Sequence, residues 1–210
     1  MKKILGAHNA NTYLKPRKWW MRLINFTSKC QKLSIEEQFE HGVRYFDFRI
    51  RYNKKYEWVF CHGPIEYKRE DDIFYLLIKK ISKFIFTNKD EKIYIRFIYD
   101  DTFNNHTVLY DVLKPYLKFV INYFNIYSKG NVICLDVIRK TDWSVMIKGN
   151  ESNLSLVDCF RNYRNYKWIP WPRWWAKKNN KRLKKFMDEY QKGTPDKDTV
   201  FLFDFVEQST

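Results

Sequence analysis

The chain has 210 residues, of which 45% are hydrophobic and 19% aromatic, and this composition excludes an intrinsically disordered protein. A net charge of +15 favours a negatively charged partner, which could be nucleic acid, an anionic membrane surface or a phosphorylated substrate. The four cysteines form no C-x-x-C pair, so neither a zinc knuckle nor a disulfide scaffold is indicated. We expect one domain over residues 1–210.

The apolar stretches indicate neither a targeting segment nor a membrane span. The first, at residues 4–7, is too short for a signal peptide. The longest, at residues 73–86, is interrupted by Lys79, Lys80 and Lys83, which excludes a spanning helix. We therefore predict a cytoplasmic protein that attaches peripherally to membranes.

Strands and helices alternate along the chain. Strands are predicted at residues 3–7, 43–51, 56–61, 92–98, 131–138 and 199–205, and helices at 16–24, 34–41, 71–86, 106–124 and 174–191. The second helix has the clearest limits, because Ser34 and Glu37 form a capping box and Gly42 ends it. This alternation predicts an α/β protein with a parallel sheet. A compact TIM-type barrel would place functional residues at the C-terminal ends of the strands.

The second predicted strand has one apolar face and one charged face. Because strand side chains alternate, Phe46 and Phe48 point one way, and Asp47, Arg49 and Arg51 point the other. Charges on an interior strand must pair with each other or with a ligand. The two arginines could therefore be structural partners of Asp47, or they could bind an anionic ligand.

Other polar residues coincide with the C-terminal ends of strands. His8 and His62 follow the first and third strands, and each could also be an ordinary turn residue. Asp204 is a lone acid in an apolar strand, so it requires a partner or a functional role. Arg96 could contact a substrate, or it could pair with Asp100 or Asp136. Two imidazoles, a guanidinium and a carboxylate suit acid–base chemistry on a phosphodiester.

Several of these motifs together resemble the X domain of phosphatidylinositol-specific phospholipases C. The resemblance is carried by residues 6–9 (GAHN), by residues 38–49 ending in FDFR, and by residues 62–64 (HGP). The strand that ends at Asp204 resembles the closing barrel strand of the bacterial enzymes. The match extends over roughly residues 4–100 and again at the C-terminus.

The resemblance implies a distorted TIM-type barrel and cleavage of phosphatidylinositol to diacylglycerol and a cyclic inositol phosphate. In that mechanism His8 is the general base and Asp204 orients its ring. Arg49 binds the phosphate oxygens, and protonated His62 donates to the leaving oxygen. Asp47, on the same strand face as Arg49, is assigned to the same catalytic set.

The resemblance also distinguishes two branches of the family. Eukaryotic members carry a calcium-binding acid where this chain has Arg49, so the chain resembles the metal-independent bacterial branch, and we predict no metal and no cofactor. Asn9 stands where the bacterial enzymes have an aspartate that assists the general acid. We predict that Asn9 and Arg96 contact the substrate.

Clusters of aromatic and basic residues suggest a membrane surface. Trp19 and Trp20 are surrounded by four basic residues, Lys15, Arg17, Lys18 and Arg22, and a second tryptophan cluster spans residues 168–175. Indoles beside basic residues suit the lipid headgroup zone, although such rings could instead pack against the barrel. We predict a monomer that binds an anionic membrane and a phosphoinositide lipid, and we expect no nucleic-acid partner.

Two alternatives remain open at this point. A glycerophosphodiester phosphodiesterase shares the barrel and the paired histidines, but that class needs metal-binding acids, and Arg49 argues against them. The net charge and the aromatic clusters also fit a membrane- or nucleic-acid-binding module whose catalytic site has decayed.

Overall fold

The structure is a computed structural model that describes residues 2–55, 57–67, 73–100, 132–139, 154–158, 172–190 and 198–208. Three further positions, 115, 118 and 122, have helical backbone. The rest of the helix predicted at 106–124 lies outside the described residues. Residues 168–171 of the second tryptophan cluster lie outside them as well.

The described chain contains eight strands and four α-helices. The strands are β1 (Lys3–Ala7), β2 (Val43–Tyr52), β3 (Trp58–His62), β4 (Ile65–Glu66), β5 (Ile93–Tyr99), β6 (Val132–Arg139), β7 (Leu154–Asp158) and β8 (Asp198–Phe203). The helices are α1 (Trp19–Ile24), α2 (Ile35–Glu40), α3 (Ile73–Thr87) and α4 (Pro172–Glu189). All six predicted strands are present with small shifts in their ends, whereas β4 and β7 were not predicted.

Six of the strands form a parallel sheet in the order β6-β5-β2-β1-β8-β7. Strands β6 and β7 are its two edges, and no pairing joins them among the described residues, so the sheet is open there. The predicted α/β architecture is confirmed. That residues 1–210 form one domain stays a prediction.

Two further strands extend this parallel sheet in antiparallel orientation. Strand β3 runs antiparallel to the end of β2, and β4 antiparallel to β3. The segment between β2 and β3 is too short for a parallel crossover, which needs a dozen or more residues. It is instead a tight turn, in which the side-chain oxygen of Asn53 accepts hydrogen bonds from the backbone N–H groups of Lys55 and Glu57.

The two faces of the sheet carry separate apolar clusters. On one face Ile4, Tyr45, Leu154, Val200 and Leu202 pack together. On the other face a larger cluster joins the sheet to α2, α3 and α4. Because side chains alternate along a strand, the smaller cluster shares its face with the polar residues that follow β1 and β8.

Close packing on the face that carries the smaller cluster explains Gly6. A Cβ added there would lie 2.8 Å from Cδ2 of Leu202 and 3.0 Å from Cγ1 of Val200. Glycine at this position therefore leaves room on β1 for the side chains of Val200 and Leu202 on β8.

The boundaries of α2 follow the prediction. Ser34 and Glu37 form the capping box, and Gly42 has a φ of 86°, the left-handed conformation that commonly ends a helix. Within the described part of the chain, none of the helices combines the length and apolar character that crossing a bilayer requires.

Candidate active site

His8 and Asp204 form the centre of the site. Strands β1 and β8 are parallel with Ala7 opposite Phe203, so the residues that follow them emerge side by side. The His8 backbone N–H donates to the Phe203 carbonyl at 3.0 Å, and His8 Nδ1 lies 2.9 Å from Asp204 Oδ1. Both side chains are buried. The structure thus brings together two predicted site residues that are 196 positions apart.

Strand β2 places two further predicted residues against the same imidazole. Arg49 Nη2 lies 3.2 Å from His8 Nε2, and Asp47 Oδ2 lies 3.9 Å from that nitrogen. A guanidinium only donates hydrogen bonds, so this contact is a hydrogen bond only when His8 Nε2 is unprotonated and accepts it. The neutral ring then carries its proton on Nδ1 and donates it to Asp204.

The charges around His8 control its protonation. Burial lowers the pKa of His8, but the carboxylates of Asp47 and Asp204 raise it by more. The pKa therefore lies well above its ordinary value.

Part of the Arg49 guanidinium has no partner in the described part of the chain. Its Nε is buried and makes no hydrogen bond there. The side-chain oxygen of Asn9 is likewise buried and makes no hydrogen bond in that part of the chain. Leaving buried polar atoms unpaired costs free energy unless a ligand satisfies them. Because a guanidinium offers only donors, the ligand that suits Arg49 is an acceptor, and an anion suits it best.

His62 lies at the end of β3 and is partly buried. Its Nδ1 donates to the backbone carbonyl of Ser28 at 2.6 Å, which fixes the orientation of the ring. The Sγ atom of Cys30 lies 3.7 Å from the same Nδ1. Burial, together with the charge of Asp204, raises the pKa of Cys30 to about 11, so the thiol is protonated at neutral pH.

Arg51 and Asp100 hold the turn that follows His62. Arg51 donates to the Gly63 carbonyl at 2.6 Å and to the Asp100 carbonyl at 3.0 Å. The Asp100 carboxylate accepts the Gly63 N–H at 3.2 Å and lies 3.7 Å from Arg51 Nη2. Arg51 therefore pairs with Asp100, and the pair stabilises the backbone beside the second histidine.

Asn9 is buried and adopts the left-handed conformation, with φ 48°. Its backbone N–H donates to Asp47 Oδ1 at 2.6 Å, and its Nδ2 lies 3.2 Å from His8 Nδ1. Arg96 is also buried, opposite Asp47 in the sheet register, and its guanidinium carbon lies 5.9 Å from the centre of the Tyr45 ring. Substrate contact by Asn9 and Arg96 stays a prediction.

Three buried amides that support the site were not predicted. Gln31 donates to the carbonyls of His8 and Phe203, each at 2.9 Å, and Asn180 of α4 donates to the Asp204 carbonyl. The side-chain oxygen of Asn11 accepts a hydrogen bond from the backbone N–H of Arg49 at 3.2 Å. Their sequence context gives no signal, because an amide in a polar segment is usually exposed.

Among the residues that the structure describes, one group of side chains could hold a metal ion. The ligand atoms of His8, Cys30 and Asp204 all lie within 4.8 Å of one another, and all three residues are buried. They offer one nitrogen, one sulfur and one carboxylate oxygen. Calcium prefers six or more oxygen ligands, so this group does not suit it.

The surface segment before the site exposes large apolar side chains. Trp19 is 73% exposed, Trp20 40%, Leu23 67% and Phe26 51%. The Nζ atom of Lys18 lies 5.9 Å from the centre of the Trp20 ring. This segment ends at Ser28, whose carbonyl accepts the His62 hydrogen bond, so the exposed rings lie close in sequence to the site.

Comparisons with known proteins agree on one family. Residues 3–123, more than half of the chain, match the family model described as the phosphatidylinositol-specific phospholipase C X domain. The chain is similar in structure to the phosphatidylinositol-specific phospholipase C of Listeria monocytogenes, with a TM-score of 0.61 and 16% identity over 99% of this chain and 90% of that one. The corresponding S. aureus protein gives a TM-score of 0.59 and 12% identity, over 96% of this chain and 85% of that one.

At these identities the structural likeness establishes the fold alone. The predicted TIM-type architecture is thereby confirmed, and the described strands of this chain form an open sheet. Compared directly with the sequences of curated proteins, the chain has no match.

Proposed function

Because the chain belongs to the phosphatidylinositol-specific phospholipase C X-domain family, we propose that it cleaves phosphatidylinositol or a close relative between glycerol and phosphate. One observation carries the proposal. Arg49 Nη2 lies 3.2 Å from His8 Nε2, so a phosphate-binding cation adjoins a potential general base. Phosphoryl transfer depends mainly on such positioning and on electrostatic stabilisation.

In the proposed first step the inositol 2-hydroxyl attacks phosphorus and gives its proton to His8 Nε2. The phosphate draws the Arg49 guanidinium onto its nonbridging oxygens, and this frees Nε2 to accept the proton. Asp204 receives the Nδ1 hydrogen bond and stabilises the imidazolium that forms, as the acid of a catalytic triad does.

Protonated His62 completes the exchange. Its Nε2 gives a proton to the glycerol oxygen as the bond from phosphorus to that oxygen breaks, while its Nδ1 stays on the Ser28 carbonyl. The products are diacylglycerol and a cyclic inositol phosphate. In a second step, with the roles of the histidines reversed, water opens the cyclic phosphate.

The reaction proposed here uses no metal ion. The Arg49 guanidinium supplies the positive charge at phosphorus, and its planar shape fits two phosphate oxygens at once. The buried Arg49 Nε without a described partner supports this role, because a bound phosphate would satisfy it. Access to the lipid would come through the exposed Trp19–Phe26 segment at an anionic membrane surface.

Phosphorus NMR tests the proposal directly. The full chain is mixed with vesicles of phosphatidylinositol and, as a matched control, with vesicles of phosphatidylcholine. We expect a cyclic inositol phosphate signal only with the first. The variant His8→Ala controls for contaminating activity. Release of an acyclic phosphate as the first product, or equal turnover of both lipids, would exclude the proposed reaction.

A further inference from the structure

Cys30 lies within the catalytic cluster, yet the proposed mechanism gives it no task. Its thiol is buried, with Asn9 Nδ2 at 3.4 Å and His62 Nδ1 at 3.7 Å. Its sulfur also lies within 4.8 Å of the ligand atoms of His8 and Asp204. Cysteine, histidine and aspartate side chains all bind zinc in proteins.

We propose that Cys30, His8 and Asp204 form a binding site for a soft divalent cation of the zinc type, and that occupancy of this site blocks catalysis. The inhibition rests on the proposed function, whereas the existence of the cation site does not. The bound cation is an inhibitor that enters from solution.

The geometry needs only small adjustments. Zinc bonds of about 2.0–2.3 Å in a tetrahedron separate neighbouring ligand atoms by roughly 3.3–3.6 Å. His8 Nδ1 and Asp204 Oδ1 are 2.9 Å apart and would separate slightly, while Cys30 Sγ would move towards them. Water would supply the fourth ligand, so His62 keeps its hydrogen bond to Ser28.

The ligand types determine which cations bind. Thiolate and imidazole favour zinc, cadmium and cobalt, whereas magnesium and calcium require more oxygen atoms than one carboxylate provides. Binding releases the thiol proton to solvent. The His8 proton moves from Nδ1 to Nε2, because the metal takes the lone pair of Nδ1.

That change of tautomer explains the block. The Nε2 atom, which must accept the substrate's proton, now carries a proton and cannot act as a base. An N–H at Nε2 also faces the Arg49 donor 3.2 Å away, so the two groups repel. Asp204 is no longer available to orient the ring.

Cobalt(II) is the probe for the site, because a cobalt–thiolate bond gives a charge-transfer absorption band in the near ultraviolet. The full chain, Cys30→Ser and Cys30→Ala are titrated with cobalt, after circular dichroism has established that each variant is folded. Cys61→Ser is the matched control, since Cys61 is also a buried free cysteine but is not in the cluster. We expect the band with the wild type and Cys61→Ser, and its displacement by zinc.

The Cys30 variants should lose the band and bind cobalt more weakly. Loss of an outer-shell partner lowers metal affinity by roughly 10–100-fold, and loss of a direct ligand should lower it by at least as much. A band that persists in both Cys30 variants, or no band in the wild type, would overturn the site. If neither Cys30 variant folds, wild-type and Asp204→Asn titrations decide, and unchanged affinity in Asp204→Asn would count against the site.

Turnover measurements test the inhibitory role of the bound cation separately. Zinc should inhibit phosphatidylinositol cleavage by the wild type and by Cys61→Ser, with each rate taken relative to its own metal-free value. Magnesium and calcium should not inhibit. Cobalt binding without any effect of zinc on turnover would overturn the inhibitory role. If metal-free wild-type protein shows no turnover, the proposed function fails while the cobalt titration still decides the site.

Discussion

Arg49 donates to Nε2 of His8 at 3.2 Å, on the side of the ring opposite the 2.9 Å contact with Asp204. One imidazole thus lies between a cation and an anion. In the neutral ring this arrangement favours the tautomer in which Nε2 is the acceptor. An anionic phosphate is the ligand that could draw Arg49 away and leave that nitrogen ready to take a proton.

The first prediction concerns the two histidines. His8→Ala and His62→Ala should each lower phosphatidylinositol turnover by about a hundredfold to ten-thousandfold, because each removes one proton transfer. Initial rates on phosphatidylinositol vesicles measure this. His41→Ala is the control, since His41 is exposed at the end of α2 and should keep full activity. Full activity in His8→Ala or His62→Ala would remove that residue from the mechanism.

The second prediction concerns Asp204. Asp204→Asn should keep its fold but lose most of its rate, by up to about ten-thousandfold if the carboxylate acts as it does in a catalytic triad. The amide cannot stabilise the His8 imidazolium. Rates on vesicles and a thermal unfolding curve separate the two effects. Normal turnover by folded Asp204→Asn would show that His8 needs no carboxylate on Nδ1.

The third prediction concerns Arg49 and metal ions. Arg49→Lys should lose about a hundredfold or more in turnover, because a point charge cannot contact two phosphate oxygens as a planar guanidinium does. Arg44→Lys is the matched control, since Arg44 makes a two-point contact with Glu91 away from the site. We expect its turnover to stay at the wild-type level.

Wild-type turnover should also survive excess EDTA and gain nothing from added calcium. A chelator would remove an inhibiting zinc-type cation and could only raise the rate. Loss of activity in EDTA and its recovery with calcium would contradict the assignment of Arg49 as the cation at phosphorus.

The fourth prediction concerns pH. The charges of Asp47 and Asp204 outweigh burial and hold the pKa of His8 well above its ordinary value. A general base works only when it is unprotonated, so kcat/KM should rise with pH through that pKa. Asp47→Asn removes one of the raising charges, and its side-chain oxygen can still accept the Asn9 N–H.

The pKa of His8 should therefore fall in Asp47→Asn, and the acid limb of the kcat/KM profile should move to lower pH. Glu91→Gln serves as a control that removes a different carboxylate, one that pairs with Arg44 and is not among the charges that shift the pKa of His8. An acid limb that stays in place, or one that moves to higher pH, would mean that Asp47 does not control the protonation of His8.

Sequence periodicity suffices to predict the part of the site that lies on regular strands. In β2 the alternation assigns Asp47 and Arg49 to one face, and the structure places both against His8. Asp204 could be predicted because a lone acid at the end of an apolar strand needs a partner. These inferences depend on local geometry, which a period of two residues determines.

The remainder of the site depends on contacts that no local pattern specifies. Cys30, Gln31 and the Ser28 carbonyl lie in an irregular segment, where neither a strand nor a helix period determines the direction of a side chain. The direction of β3 was not predicted, because the alternation of side chains along a strand does not reveal whether it runs parallel or antiparallel to its neighbour. Its short connection to β2 was the available signal.

The last prediction concerns the membrane surface. Trp19 and Trp20 are exposed, and nearby basic residues each add roughly 1 kcal/mol of attraction to an anionic bilayer. Trp19→Ala/Trp20→Ala should weaken binding to anionic vesicles by at least about tenfold, because the rings no longer enter the headgroup zone. Hydrolysis of vesicle substrate should fall in parallel, measured beside vesicle sedimentation.

Turnover of a soluble cyclic inositol phosphate should hardly change, since that substrate needs no docking. Phe86→Ala is the matched control, because Phe86 is 79% exposed but lies on α3, so loss of its ring should leave vesicle binding intact. If Phe86→Ala lowered vesicle binding as much, general surface hydrophobicity would explain the result. Equal losses on soluble and vesicle substrates would instead place the two tryptophans in the chemistry itself, because docking cannot alter the turnover of a substrate that never touches the membrane.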